Sequence, residues 1–262
     1  MAVKPLLKVN NVGIEFGGLK AVSNFNIEIN PGELIGLIGP NGAGKTTVFN
    51  MLTGVYTPTT GEIFFNDVLI NGMAPFKVNR IGISRTFQNI RLFKDLSVLD
   101  NVKIAYHSLV KHSLFSSIFR LPSHFSGEKE MEEKALQFLK VFSLDHLKDE
   151  KAKNLPYGQQ RRLEIARALA ANPKLLLLDE PAAGMNPQET QDLMELIQFI
   201  RKEFDLTILL IEHDMKFVMG VCERISVLDH GQLIASGNPE EIRNHPKVIE
   251  AYLGEEAGEK DA

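Results

Sequence analysis

Residues 155–184 read LPYGQQRRLEIARALAANPKLLLLDEPAAG, and this stretch decides the fold class. We interpret Gly158 as a turn that opens a helix over residues 160–171. The four leucines at 175–178 then predict a short buried strand, which ends at two adjacent carboxylates. A helix that leads directly into a buried strand is typical of proteins in which strands and helices alternate along the chain.

The same alternation continues on both sides of this stretch. It predicts an α/β fold with a mainly parallel sheet and helices on both faces. Asn66 and Asp67 predict the turn of a hairpin over 61–70. Residues 95–154 predict a mainly helical insertion, in which Ser97 can cap a helix. Further strands are predicted at 7–14, 26–29, 34–38, 206–211, 225–228 and 232–235, and helices at 45–54, 128–142, 187–203 and 213–220.

Composition narrows the class of protein. The chain has 262 residues, of which 44% are hydrophobic and 24% charged, and this balance suits a globular core. The formal net charge of −4 gives no electrostatic case for nucleic acid as the main partner. The single cysteine, Cys222, excludes an internal disulfide, and we interpret it as a buried, inert thiol. No apolar run approaches the ~18 residues of a membrane span, so a membrane role would require a separate embedded partner.

A glycine-rich loop follows the strand predicted at 34–38 and precedes a predicted helix. Gly39, Gly44, Lys45 and Thr46 have the spacing of a phosphate-binding P-loop in that context. Backbone N–H groups of such a loop, together with the helix dipole, attract phosphate oxygens. Lys45 would reach the β- and γ-phosphates, and the Thr46 hydroxyl would ligate Mg²⁺. The predicted nucleotide site comprises Gly39, Pro40, Asn41, Gly42, Ala43, Gly44, Lys45, Thr46 and Thr47.

Three polar residues complete a predicted hydrolytic site. Asp179 occupies the place where a P-loop NTPase holds Mg²⁺, through water, and Glu180 follows at the position of a general base for an attacking water. His213 comes directly after a predicted strand, where its imidazole could donate a hydrogen bond to the γ-phosphate.

Gln88 lies where the core gives way to the helical insertion. A glutamine in such a place is most often a solvated loop residue. Here it could instead sense the γ-phosphate and Mg²⁺ and pass that state to the insertion.

The N-terminus of the helix after Gly158 is a second potential anion site. Two anion sites and one nucleotide suggest that the second site faces a nucleotide held by another subunit. A plain helix cap, with Arg161 and Arg162 simply solvated, is the alternative. The phenylalanines at 115, 119 and 125 also allow two interpretations, a small core or a surface that faces a partner.

With these elements in order over roughly residues 7–254, the chain resembles the ATP-binding subunits of ABC transporters. The resemblance implies a P-loop NTPase core with an N-terminal antiparallel β subdomain and a helical subdomain, within a single ABC ATPase domain over 1–254. The catalytic core would comprise 1–94 and 155–254, the helical subdomain 95–154, and 255–262 would form a frayed tail.

The resemblance also implies roles by position. Phe16 would stack on adenine, Gln88 would be the Q-loop and a Mg²⁺ ligand, and His213 would be the switch histidine. The family signature falls at 155–159, so Tyr157, Gly158 and Gln159 would contact the nucleotide of the opposite subunit. The catalytic residues would be Glu180, His213 and Gln88; Mg²⁺ would be held by Thr46, Gln88 and Asp179; and the D-loop would span 183–186.

The signature departs from the usual LSGGQ. Pro156 replaces the serine whose hydroxyl touches the γ-phosphate in the family, and proline offers neither a hydroxyl nor an N–H. The D-loop carries Asn186 where aspartate is common. With the strings YGQQRRLEIAR, DEPAAGMNP and RTFQNIRLF, these departures resemble the LivG-type subunits of branched-chain or hydrophobic amino-acid importers.

This resemblance implies an ATPase that binds ATP and Mg²⁺ and powers uptake of branched-chain or other hydrophobic amino acids. Its partners would be two integral membrane permease subunits, a second ATPase subunit and, indirectly, a solute-binding protein, with no nucleic acid. It would be a peripheral protein at the cytoplasmic face of the cell membrane. The alternatives are an ABC-type ATP switch that acts on ribosomes or DNA, and the ATPase of a lipid or lipopolysaccharide exporter.

Overall fold

The computed structural model describes residues 4–107 and 122–258. The contacts within the chain define two compact units. The sheet unit comprises Met1–Arg85 and Lys174–Ala262, and the helical unit comprises Thr86–Pro173. The helical unit is longer at both ends than the insertion predicted at 95–154. It extends beyond residue 154 because the helix that carries the signature packs on the other helices of this unit.

The described part of the sheet unit contains strands and helices in alternation. The strands are β1 (Leu7–Phe16), β2 (Leu19–Ile29), β3 (Leu34–Ile38), β4 (Thr60–Phe65), β5 (Val68–Leu69), β6 (Ile83–Arg85), β7 (Leu175–Asp179), β8 (Thr207–Ile211), β9 (Arg224–Asp229) and β10 (Gln232–Gly237). The helical unit contributes α3 (Val98–His107), α4 (Pro122–Val141) and α5 (Tyr157–Ala170), and the remaining helices belong to the sheet unit: α1 (Lys45–Leu52), α2 (Pro75–Arg80), α6 (Pro187–Glu203), α7 (Met215–Val221), α8 (Pro239–Arg243) and α9 (Pro246–Gly258).

The strands form two sheets. The larger has the order β10-β9-β3-β8-β7-β6 and is parallel apart from β10, while the smaller is antiparallel with the order β2-β1-β4-β5. Every residue of β3, β7 and β8 is buried, as expected for parallel strands covered on both faces. The prediction of an α/β fold with a mainly parallel sheet is therefore confirmed. The carboxyl ends of β3, β7 and β8 meet at one edge of this sheet.

One apolar core joins the two sheets with α1. Phe25 and Phe65 enter it from the antiparallel sheet, Leu37 and Leu209 from the parallel sheet, and Phe49 from α1. Because α1 is fixed to both sheets by this core, the loop that precedes it is held from both sides.

The helical unit is built on α3, α4 and α5, which pack on one another. Ser97 caps α3 as predicted, since its hydroxyl accepts a hydrogen bond from the backbone N–H of Asp100 at 3.0 Å. The buried side chains of this unit are mostly apolar and include Val98, Val102, Ala135, Leu139, Phe142, Leu163 and Ala166. The side chains at 115, 119 and 125 lie outside the described residues, so both interpretations of these phenylalanines stay open.

Several elements differ from the sequence-based expectation. β2 begins at Leu19 because Gly17 and Gly18, with φ of 55° and 90°, make a two-residue turn that pairs Phe16 with Leu19. α2, β6, α8 and α9 were not predicted, and α9 extends to Gly258, beyond the start of the expected frayed tail. Cys222 is buried, as predicted, and burial raises the pKa of its thiol. Within 4–107 and 122–258, no helix combines the length and the apolar character that crossing a bilayer requires.

Candidate nucleotide-binding and catalytic site

The P-loop lies between β3 and α1, in the context that the sequence predicted. Gly39, Gly42 and Gly44 have φ of 150°, 75° and 101°. A Cβ on Gly39 would collide with the carbonyl oxygen of Leu228, and one on Gly44 would lie 2.8 Å from the carbonyl oxygen of Ala21. Glycine is therefore required at both ends of the loop, where the backbone passes close to neighbouring strands.

Lys45 lies inside the loop. Its ammonium donates hydrogen bonds to the carbonyl oxygens of Gly39 at 2.6 Å and Pro40 at 2.7 Å, and the side chain is largely buried. The loop therefore surrounds a fixed positive charge at the N-terminus of α1, where the helix dipole is also positive. Gly44, the N-cap of α1, brings no side chain to cap the first turn. The Lys45 ammonium and the backbone N–H groups at the N-terminus of α1 are hydrogen-bond donors that suit a polyphosphate.

Asp179 and Glu180 lie at the carboxyl end of β7. Asp179 is the last residue of the strand, and its carboxylate is buried against the guanidinium of Arg85, with Nη2 and Oδ2 2.6 Å apart. Glu180 has a φ of 45°, and its backbone N–H donates to the carbonyl oxygen of Ile211. A non-glycine residue at positive φ is strained, and such strain is often found where a side chain must point at a reacting group.

His213 lies beside Glu180. Nδ1 of His213 is 3.8 Å from Oε2 of Glu180, and 63% of the histidine side chain is exposed. The structure thus places the predicted base and the predicted switch histidine together at the edge where β7 and β8 end. The bond between the N–H of Glu180 and Ile211 joins the two strand ends directly.

Glu212 is a residue of this site that the sequence reasoning missed. It is buried between two loops, and its carboxylate accepts hydrogen bonds from the backbone N–H groups of Ala182 at 2.8 Å and His213 at 3.1 Å. Burial raises the pKa of this carboxyl above its ordinary value, although the backbone hydrogen bonds oppose the shift. The signal available in the sequence was an acid that directly follows an unbroken apolar strand.

The loop after Glu180 ends at a helix cap. Oδ1 of Asn186 accepts hydrogen bonds from the backbone N–H groups of Gln188 and Glu189, and the Glu189 carboxylate accepts one from the Asn186 N–H. Asparagine is as good a cap as aspartate, so the unusual residue in the predicted D-loop retains this structural role.

Phe16 ends β1, and the residue is 44% exposed. The ring contacts Tyr56 edge to face, with ring centroids 5.2 Å apart. One face of an aromatic side chain that is held in this way could stack on a flat, apolar ring.

In the helical unit, the signature residues differ from the prediction in two respects. The helix begins at Tyr157 after the N-cap Pro156. Gly158 therefore lies inside the first helical turn and does not form a separate turn before the helix. The turn was misplaced because proline at the N-cap, rather than glycine, sets the entry of the chain into the helix. Tyr157, Gly158 and Gln159 are therefore the first three residues of α5.

Arg161 is also not a solvated residue, as one interpretation of the sequence had it. Its side chain is fully buried and forms an ion pair with Glu164, with Nη1 and Oε2 2.8 Å apart. The same guanidinium donates to the carbonyl oxygens of Phe87 at 2.6 Å and Gln88 at 2.8 Å. Glu164 accepts from the backbone N–H of Arg91 at 3.0 Å. The backbone around Gln88 is thus fixed to the helix that carries the signature.

The comparisons with known proteins agree with this geometry. Residues 22–183 match the family described as ABC transporter, and residues 232–258 match the family described as branched-chain amino acid ATP-binding cassette transporter. The chain is 50% identical to the high-affinity branched-chain amino acid transport ATP-binding protein LivG of Escherichia coli strain K12, over 96% of this chain and 99% of that protein.

Two solved structures extend the comparison to three dimensions. The ADP conformation of MJ1267, an ATP-binding cassette of an ABC transporter, superimposes with a TM-score of 0.83 at 34% identity and covers 96% of this chain and 100% of that one. A dimeric post-hydrolysis state of the ATP-binding cassette MJ0796, bound to ADP and Pi, gives a TM-score of 0.75 at 28% identity, over 89% and 98% of the two chains.

Proposed function

The chain belongs to the ATP-binding subunits of ABC transporters, and from that premise we propose that it hydrolyses ATP to drive uptake of branched-chain or other hydrophobic amino acids. The family resemblance of the sequence is confirmed, and with it the ATPase activity that defines the family. The observation that carries the choice of substrate is the match of residues 232–258 to the branched-chain transporter family, together with 50% identity to LivG over nearly the whole chain. These matches favour an importer over an exporter of lipid or lipopolysaccharide and over a switch on ribosomes or DNA.

ATP binds, in this proposal, along the P-loop. Residues 39–47 surround the phosphates, with Lys45 exchanging its hydrogen bonds to the loop carbonyls for bonds to the β- and γ-phosphates. Phe16 stacks on the adenine. The lack of a side chain at Gly39 and Gly44 supports this role, because it lets the loop pass close to neighbouring strands and leaves its backbone accessible.

Thr46 and Asp179, both in the sheet unit, would hold Mg²⁺. A hydroxyl and a carboxylate are ligand types that Mg²⁺ accepts, and it takes few protein ligands when a nucleotide supplies phosphate oxygens. When bound, the ion neutralises negative charge on the β- and γ-phosphate oxygens.

Glu180 acts as the general base. Its carboxylate accepts a proton from the attacking water as the oxygen of that water bonds to the γ-phosphorus and the bond to the leaving oxygen of ADP breaks. His213, 3.8 Å from Glu180, donates a hydrogen bond to the γ-phosphate. Glu212 holds the two loops that bear these groups, through the N–H of Ala182 and that of His213.

The functional assembly contains two ATPase subunits. ABC ATPases work as dimers with membrane permease subunits, and MJ0796 forms a dimer with bound ADP and Pi. In our proposal Tyr157, Gly158 and Gln159 contact the nucleotide bound by the opposite subunit. The second subunit is a similar chain or another copy, two permeases are embedded in the membrane, and a solute-binding protein acts on them from the other side. The chain is then peripheral to the cytoplasmic face of the cell membrane.

An uptake assay tests the transport proposal. The complete transporter, purified with its own permeases, is placed in liposomes with ATP inside and the solute-binding protein outside. We expect ATP-dependent accumulation of labelled leucine that unlabelled isoleucine and valine suppress and glutamate does not. A complex that hydrolyses ATP but accumulates none of these amino acids would contradict the substrate assignment and leave the ATPase assignment standing.

A further inference from the structure

Arg85 connects two parts of the sheet unit that the proposed mechanism treats separately. It is the last residue of β6 and lies next to β7 in the parallel sheet, and only 6% of its side chain is exposed. Nη2 lies 2.6 Å from Oδ2 of Asp179, and Nη1 donates to Oδ1 of Asn50 at 2.7 Å. One guanidinium therefore bridges the end of β7 and the middle of α1.

Asn50 lies in the same helix as Thr46, one of the proposed metal ligands. Asn50 follows Thr46 by four residues in α1, so the two side chains lie on the same face of the helix, one turn apart. Thr46 and Asp179 are the residues of the sheet unit to which we assign the metal. Arg85 thus links the strand that carries one proposed ligand to the helix that carries the other.

The local packing favours a guanidinium in this place. The charged group lies 5.4 Å from the centre of the Phe49 ring, so it is fixed by an aromatic face as well as by its hydrogen bonds. A guanidinium is planar and presents donors in a rigid fork, whereas an ammonium is a point charge on a flexible chain. Only the planar group can contact Asp179 and Asn50 with fixed relative directions.

We propose that Arg85 is a positioning residue for the metal site, and that it sets the spacing between Thr46 and Asp179 so that both contact Mg²⁺ of the bound nucleotide. This inference rests on the proposed assignment of these two residues as metal ligands. Partners that orient metal ligands from behind typically alter metal affinity by about 10–100-fold when they are replaced. Arg85 does not touch the nucleotide in this proposal, and it acts through Asp179 and α1.

The test compares nucleotide affinity with and without the metal. A non-hydrolysable ATP analogue is titrated into the protein in Mg²⁺ and in EDTA, and the ratio of the two dissociation constants measures the contribution of the metal. Asn50→Ala keeps the buried ion pair of Arg85 with Asp179 and the contact with the Phe49 ring, but it removes the hydrogen bond from Arg85 to α1. Arg85→Lys keeps the charge but loses the fork. Arg80→Lys, on the exposed surface of α2, is the matched control.

We expect Asn50→Ala and Arg85→Lys to lower this ratio by about 10-fold, with the affinity in EDTA unchanged and Arg80→Lys identical to the parent protein. The Mg²⁺ concentration for half-maximal ATPase should rise by a similar factor. If Arg85→Lys fails to fold, Asn50→Ala alone decides the question.

Lower melting temperatures with an unchanged ratio would show a merely structural role and overturn the inference. A parent protein that binds the analogue equally in Mg²⁺ and EDTA would instead overturn the assignment of Thr46 and Asp179 as ligands, and the role of Arg85 with it. The two failures are therefore distinguishable.

Discussion

Replacing Arg161 with methionine should destabilise the protein strongly, although the residue lies only two positions after the signature at 155–159. The change removes the ion pair with Glu164 and the bonds to the carbonyl oxygens of Phe87 and Gln88. The Glu164 side chain, which is 1% exposed, then loses its ion-pair partner Arg161. Removal of one partner of a buried ion pair costs about 3–5 kcal/mol, so the melting temperature should fall by about 8–16 °C at a central cost of about 4 kcal/mol.

The matched control is Arg162→Met, the same chemical change one position further along α5. Arg162 is half-buried, so its replacement should cost less than about 1 kcal/mol. Melting temperatures of both variants are measured by circular dichroism under identical conditions.

A double-mutant cycle makes the test sharper. Glu164→Leu alone should be destabilising, because it leaves the Arg161 guanidinium buried without its carboxylate. In the Arg161→Met background the same change should restore part of the stability. An apolar pair can replace a buried ion pair at little net cost, whereas the hydrogen bonds to Phe87, Gln88 and Arg91 stay lost. A loss below about 1 kcal/mol for Arg161→Met, or additive losses in the double variant, would refute the argument.

Three further predictions concern the sheet unit. Lys45→Ala should weaken ATP binding itself, because it removes the ammonium that lies inside the P-loop. Unchanged ATP affinity in an equilibrium titration would count against the P-loop assignment. Burial raises the pKa of Glu212, so the contribution of this carboxyl to the free energy of unfolding is greatest at low pH and is lost as the pH rises through its folded-state pKa. Glu212→Gln should therefore lose less stability than the parent protein as the pH is raised above the ordinary pKa of a glutamate. Urea unfolding at a series of pH values measures this difference, and parallel curves would argue against it. Asn186→Ala should cost about 1 kcal/mol in the same assay while Asn186→Asp costs almost nothing, and equal losses would show that the cap contributes little.

The sequence predicts those parts of the fold that depend on local pattern. β3 and α6 were predicted at their observed bounds, and Asn66 and Asp67, with φ of 47° and 64°, form the expected turn of a hairpin. Apolar runs, caps and turn residues carry this information because each acts within a few residues of itself. The same reasoning should have found the turn at Gly17 and Gly18, which lies between two segments in which apolar and polar residues alternate.

The elements that were missed depend on distant partners. β6 has three residues and becomes a strand only because β7 offers an edge for pairing. Arg161 and Glu212 are charged, and charge by itself predicts exposure. The Gln88 carbonyl oxygen that accepts from Arg161 lies 73 residues away, and the Ala182 N–H that donates to Glu212 lies 30 residues away, so the local sequence does not reveal these partners. The positions of candidate site residues were thus predictable from motifs, whereas the residues that hold them in place were not.

The central claim is that ATP binds between the P-loop of one subunit and the first turn of α5 of another, and that Glu180 activates the water. Glu180→Gln tests it most directly, with ATP binding, turnover and sedimentation measured on one preparation. We expect ATP affinity close to that of the parent protein, turnover lower by about 10²–10⁴-fold, and a dimer that forms only with ATP. Turnover near that of the parent protein, or full activity of the parent protein as a monomer at every dilution, would contradict the claim.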